Sequence, residues 1–419
     1  MSQTNDAANL ALNGGPKVRE DPLPPRRLIA EEEKEAVNAF LDEIIAEGSS
    51  IRYGGEQEQK YCEEFCDFLG GGYADGVSSG TTANYVALHT LNPEPFTEVI
   101  VSPVTDPGGI MPVPLLNCVP VVADAAPGCY NTGPEQVEAV ISPLTSAILV
   151  SHIGGEPLDI EGIMEVARKH DLPVIEDCAQ AHGAKVNGRC VGTFGSMATF
   201  STMFGKHHCT GGQGGVVFSR DEHLLQQARR VADRGKPIGL PAGSTNGIAS
   251  LNFNLNDLAA AIGRVQLRKL PGIIRQRQRV VTEMTKGLEK LSSVTIPEVI
   301  PGGEHVYWWW RLEANLDALR CTKQQYCEAL TAEGIAVTPE YRAMPHTLDW
   351  FRNRCVFGTS GLPWSSPQYK GDPDRVFACP NAEDAVARQF NLMVFESCGD
   401  REVKDIVDAF RKVDAAYTA

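Results

Sequence analysis

The chain has no cysteine pair at the CxxC spacing of metal sites, no cluster of basic residues, and no apolar run near the roughly 20 residues that cross a bilayer. Each absence removes a class. The twelve cysteines are scattered through 419 residues. Cys62 and Cys66, four apart on a helical pattern, read as packing residues, and no metal site is expected. A formal net charge of −15 without any basic tract disfavours nucleic acid and anionic membranes as partners, since both would repel the surface. The opening MSQTNDAANLALNGGPKVRE lacks a basic stretch followed by an apolar core. No secretory signal is read there, and a cytoplasmic location with reduced thiols is expected. Internal repeats and low-complexity tracts are also missing. What is present is ordinary: 42% hydrophobic and 22% charged residues, the composition of a soluble globular protein. At roughly 150 residues per domain the length allows two or three.

Apolar spacing predicts helices at 31–48 and 57–72, each ending at glycine. Short β-rich runs follow at 98–104, 119–124, 147–152, 173–177, 198–202 and 215–219. Several are apolar throughout, as strands buried on both faces should be. Helical stretches at 160–171 and 221–235 lie between them. This alternation predicts an α/β domain with an open, mostly parallel sheet, whose ligands sit at the carboxyl ends of the strands. A helical segment at 254–270 continues through 276–291 as a link to a smaller α+β unit. The expected organisation is an N-terminal arm at 1–30, a large domain at 31–270, and a linking helix with a small C-terminal domain at 271–419. A polar stretch containing Pro and Gly at 356–374 reads as a mobile loop.

Two residues carry the chemistry. Lys206 sits in FSTMFGKHHCTGGQGGVVF, between a strand-like run and a glycine cluster, and Asp177 ends the apolar run of LPVIEDCAQAHG. An amine in a glycine-rich turn can reach a bound group, and an acid at a buried strand end can keep a ring nitrogen protonated. Together they point to Schiff-base chemistry with pyridoxal 5′-phosphate. Taken singly, each also reads as a solvated loop lysine or a strand-end carboxylate. In VSSGTTANYVALHTL, the small residues Ser78–Thr82 precede a helix, where N–H groups can meet a phosphate. Ordinary N-capping reads the same way.

Taken together, LNGGPKVR, SSGTTANYVAL, EDCAQAHGA, FSTMFGK…GGQGG, LNFNLNDLAAAIGRVQLRKL and PNAED run nearly end to end, and the chain resembles the DegT/DnrJ/EryC1/StrS sugar aminotransferases. That resemblance implies the aspartate-aminotransferase-like architecture (fold type I) with pyridoxal 5′-phosphate as cofactor. It implies that Lys206 forms the internal aldimine, Asp177 pairs with the pyridine nitrogen, and Gln180 lies beside the ring's phenolic oxygen. Thr81, Thr82 and Ser201 would hold the phosphate. Asn252 would reach it from a neighbouring subunit, which makes a homodimer with shared sites the expected catalytic unit.

The chain departs from the family pattern at Asp106, which stands where an aromatic residue usually stacks on the ring, and at Asn254, which replaces an arginine. Asp106, His207, Arg234 and His346 are candidate substrate contacts. His207 and His208 also read as simple loop residues, and Trp308–Trp310 as either a substrate platform or small-domain core. The expected reaction moves an amino group from L-glutamate or L-glutamine to a keto-sugar, free or nucleotide-linked, or to a keto-cyclitol. Lysine rather than histidine at 206 sets the family's dehydratase branch aside. A non-catalytic regulator that keeps the fold and binds the cofactor is the alternative. A nucleotide-dependent oxidoreductase is disfavoured because GGQGG precedes a strand instead of a helix.

Overall fold

The computed structural model describes residues 7–341 and 343–418. Runs such as Val119–Val122 and Val174–Asp177 are buried along their whole length, so they have no face to give to water and must lie inside a covered sheet. That sheet has seven strands, in the order Tyr73–Val77, Gly215–Ser219, Met197–Ser201, Val174–Asp177, Thr145–Ser151, Glu98–Val101, Val119–Val122. The last five are mutually parallel. Gly215–Ser219 runs antiparallel to both its neighbours. One apolar layer, built around the helix Gly80–Leu91, covers one face. A second, with Glu56–Leu69 and Ile160–Lys169, covers the other.

The chain order reverses beside Glu98–Val101: the next strand lies to one side of it, and the one after that to the other. Loops leaving Glu98–Val101 and Thr145–Ser151 therefore diverge and open a crevice at the carboxyl edge, the usual ligand position in such sheets.

Two features differ from the sequence expectation, and a third agrees with it. Tyr73–Val77 is a strand that the pattern does not announce, because Asp75 and Gly76 interrupt any apolar alternation. Its five-residue pairing with Gly215–Ser219 supplies the order that propensity lacks. As expected, the helical segment at 254–270 continues through the 276–291 stretch, in one helix, Asp257–Leu288, with Pro271 inside it. Leu267 and Leu270 pack in the large-lobe core, while Val280, Val281, Met284 and Leu288 pack in the small-lobe core, and this double anchorage offsets the bond that proline removes. The stretch at 356–374, expected to be mobile, is seated by two buried aromatics: Trp364 packs edge-on to Phe351, and the Tyr369 hydroxyl donates to Glu98 at 2.7 Å.

The small lobe is a four-stranded antiparallel sheet in the order Val294–Thr295, Trp310–Ala314, Gln389–Leu392, Val337–Thr338. Tyr326, Phe390 and Phe410 pack together over it. The N-terminal segment belongs to this lobe, with Leu10 fully buried in its core and Arg19 bonded to Asp405 at 2.7 Å. A buried ion pair joins the lobes. Arg311 meets both oxygens of Glu156 at 2.9 and 2.8 Å. Among the described residues, no helix is long and apolar enough to cross a membrane.

Candidate active site

Adjacent parallel strands bring the two leading residues together. Asp177 is the last residue of Val174–Asp177, and Ser201 the last of its neighbour Met197–Ser201; the turn that follows carries Lys206. All three line one cavity with Ser79, Gly80, Thr81, Asn84, Thr105, Asp106, Ser151, His152 and Gln180.

The Lys206 amine is buried, 4.0 Å from the centre of the Trp308 ring. Burial pulls its pKa down from the usual lysine value to about 8, while the charges of Asp177 and Asp106 push the other way. A sizeable neutral fraction near neutral pH follows, as a proton-accepting amine requires. Asp177 is pushed in the opposite sense. Burial raises its pKa, and hydrogen bonds from the Ala179 N–H and the Asn84 amide limit the rise. Its Oδ1 accepts from Ala179 N at 2.9 Å, and its Oδ2 from Asn84 Nδ2 at 3.1 Å and Ser151 Oγ at 3.4 Å. These partners are neutral. A cationic N–H in the cavity would supply the charge complement they lack.

The helix Gly80–Leu91 points its N-terminus into the same cavity. Ser79 caps it, accepting from Thr82 N at 3.1 Å, and the Thr82 hydroxyl turns back onto Ser79. Thr82 therefore completes the cap rather than lining the cavity, while the N–H groups of Gly80 and Thr81 have no acceptor within the helix. A Cβ at Gly80 would come 2.6 Å from Ser201 Cβ, so only glycine lets the helix start approach the strand end so closely. Gln180 accepts from Gly154 N at 2.8 Å and faces the Tyr341 hydroxyl at 3.4 Å.

Of the other substrate candidates, Asp106 lines the cavity and the rest lie elsewhere. Asp106 is exposed at the cavity, where its carboxylate accepts from Gly108 N at 2.9 Å. His207 is buried behind the lysine; its Nε2–H donates to the Val306 carbonyl at 3.0 Å, and the ring does not line the cavity. Arg234 and Asn252 sit on the exposed surface near one another: Arg234 N donates to Leu251 O at 2.9 Å, and the Arg234 side chain binds Asp233 and Tyr53. Neither lines this chain's cavity. His346 lines a separate cavity with Phe351 and Trp364, 3.5 Å from Glu383. The tryptophans divide: Trp310 fills the small-lobe core, Trp309 packs on Tyr341, and Trp308 covers Lys206.

Sequence reasoning passed over Asn84, Ser151 and His152. Asn84 had a signal, lying four residues beyond Gly80 and so one turn along the same helix face. His152 had none; it is held by Leu158 N–H on Nδ1 and by Glu176 on Nε2.

An amine on a turn, a carboxylate one strand away and a helix N-terminus meet at the carboxyl edge of this sheet, and the solved structures that share the fold are aminotransferases of fold type I. Residues 28–411 match the DegT/DnrJ/EryC1/StrS aminotransferase family, and the chain belongs to that family, whose members are pyridoxal-phosphate-dependent transaminases. It is 34% identical over 325 residues to GDP-perosamine synthase of Caulobacter vibrioides, covering 75% of this chain and 86% of that protein. It is 31% identical to the L-glutamine:2-deoxy-scyllo-inosose aminotransferase of Micromonospora echinospora, across 97% of this chain and 98% of that one. The crystal structure of an aminotransferase from Psychrobacter cryohalolentis superposes with a TM-score of 0.79 at 26% identity, covering 93% of this chain and 98% of the other.

Proposed function

We propose that the protein transfers an amino group from L-glutamine or L-glutamate to the keto group of a cyclitol or deoxy sugar, free or nucleotide-linked, with pyridoxal phosphate held on Lys206. The observation that carries this reading is a buried amine with its pKa drawn down to about 8, one strand from a buried carboxylate. The names of the relatives support the substrate class. One takes L-glutamine and a cyclitol ketone, and another is a synthase for a nucleotide-linked amino sugar.

The residues fit the cofactor. The helix start, brought against Ser201 by Gly80, turns unpaired N–H groups to the cavity that both residues line, which suits a phosphate. Asp177, whose partners are all neutral, suits a protonated ring nitrogen. When bound, that ring delocalises the electron pair left as a proton departs from the carbon bearing the amino group. Lys206 would take the proton from that carbon and return it to a neighbouring one, and the desolvation that lowers its pKa supports that role. Gln180, fixed by Gly154, would orient the ring from the side. Asn252, exposed and outside this chain's own cavity, would serve the site of a second copy in a homodimer.

The test is direct. The purified protein, loaded with pyridoxal phosphate and mixed with L-glutamine or L-glutamate, should lose its visible absorbance as the amino group is taken up. Adding a keto-cyclitol or a nucleotide-linked keto-sugar should restore it. A spectrum unmoved by every amino donor would sink the proposal.

A further inference from the structure

We propose that Arg26, Glu396 and Arg277 form a strut that positions Lys206, with Arg26 and Arg277 as its ends and Glu396 between them; the inference rests on the reading of Lys206 as the cofactor-bearing residue. Arg26 Nη1 donates to the carbonyls of Gly205 and Lys206, both at 2.9 Å, and Nη2 to that of His207 at 3.4 Å. Three successive carbonyls of the lysine turn thus face one guanidinium, whose planar fork suits several acceptors at once. Arg26 Nε is in turn bonded to Glu396 Oε1 at 2.9 Å.

The other oxygen of Glu396 belongs to Arg277. It accepts from Arg277 Nε and Nη2, each at 2.8 Å. Arg277 is 1% exposed on the long helix, and its Nη1 holds the carbonyls of Tyr307 at 2.7 Å and Trp308 at 3.1 Å. Trp308 closes the circuit: its indole N–H donates to Gly205 O at 2.9 Å, and its ring lies 4.0 Å from the Lys206 amine. The backbone carrying the amine and the ring beneath it are both referenced to one carboxylate.

The turn needs such support. Its own backbone offers Lys206 N only the Met203 carbonyl, at 2.9 Å, and Gly205 adds no side chain to pack. Glu396 sits between two guanidinium groups, so each cation is compensated and the unit is stiff. Removing the carboxylate would leave two like charges facing each other. Removing the Arg26 fork would free three carbonyls and admit water to the amine.

The experiment follows covalent capture rather than turnover. Apo-protein receives pyridoxal phosphate, borohydride reduces the adduct, and mass spectrometry measures label on the Lys206 peptide against time and pH. Wild-type protein without label at Lys206 would refute the role given to that residue, which is a separate failure from that of the strut. With wild type labelled, Arg26→Gln and Glu396→Gln should slow labelling by about tenfold or more, as displacement of a reacting group does. Their pH midpoint should rise from near the wild-type amine's value of about 8 toward that of an ordinary lysine. Arg26→Lys, which keeps the charge without the fork, should fall between. Arg19→Gln breaks the same arm's buried pair with Asp405, away from the lysine turn, and should label within about twofold of wild type, as a change at a distant site does. If Glu396→Gln does not fold, Glu396→Asp, which withdraws the carboxylate by one methylene, takes its place. Wild-type rate and midpoint in the strut variants would overturn the proposal. So would an equal slowing in Arg19→Gln, because the cause would then be a loosened arm.

Discussion

Asp177 and Glu58 are both buried carboxylates, and their neighbours give them different fates. Asp177 opens onto the cavity and is solvated by three neutral donors, an arrangement that gains from a cation arriving in the site. Replacing it by Asn keeps the shape and removes the charge. Activity should then fall by about 10²–10³-fold, the range for losing one preorganised electrostatic contact, while borohydride capture at Lys206 persists; unchanged turnover would remove Asp177 from the mechanism. Glu58 lies beside Asp75, away from that cavity, and burial together with the Asp75 charge pushes its pKa from 4.5 to about 8. Its folded-state value is raised, so the fold binds a proton that the unfolded chain releases, and stability declines as pH climbs from about 4.5 to about 8. Glu58→Gln still accepts the Gly54 N–H that Glu58 takes at 2.6 Å. The variant should lose this slope and be more stable than wild type at pH 8, by on the order of 2 kcal/mol, with little difference at pH 4.5. Thermal unfolding at the two pH values checks it. At this scale Lys206 and Asp177 were legible because an amine in a glycine turn and an acid at a strand end are unusual placements. Arg26 and Glu396 were not, because the residues they connect are 179 and 370 positions from Arg26.

Among the elements, the start of the helix Gly80–Leu91 is the tightest joint. Its first residue leaves 2.6 Å between a hypothetical Cβ and Ser201 Cβ. Gly80→Ala must push the helix N-terminus off the strand end, an overpacking that costs about 1–3 kcal/mol. Because the same N–H groups face the cavity, the strain should appear as weaker affinity for pyridoxal phosphate, by about tenfold for each 1.4 kcal/mol. Free phosphate should lose its protective effect on thermal unfolding in parallel. Equal cofactor affinity in the variant would show that this helix end is not the phosphate cradle. The sequence pattern announced this helix and the inner strands, since apolar runs need no tertiary information to be read. It missed Tyr73–Val77 and the seating of 356–374, where order comes from partners distant in the chain: Gly215–Ser219 for the strand, Glu98 for Tyr369.

In the whole molecule, the lobes are tied at Glu156–Arg311, where both side chains are nearly dry. Glu156→Gln would leave a guanidinium buried without its charge partner, and unfolding should cost about 3–5 kcal/mol less. Asn252 and Arg234 share an exposed patch that does not line the cavity containing Lys206 and Asp177. If a second copy brings Asn252 to that cavity, two individually crippled chains can rescue one another. Lys206→Ala and Asn252→Ala chains, unfolded together and refolded as an equal mixture, should form mixed dimers in half of the assemblies. In each mixed dimer one site carries both lesions and the other carries neither, so about one quarter of all sites regain full function by symmetry. Measured turnover should therefore rise well above the sum of the two parent preparations, and fall back when either variant is in large excess. Activity that merely equals that sum would mean that Asn252 serves its own chain, and the shared-site arrangement would have to be abandoned.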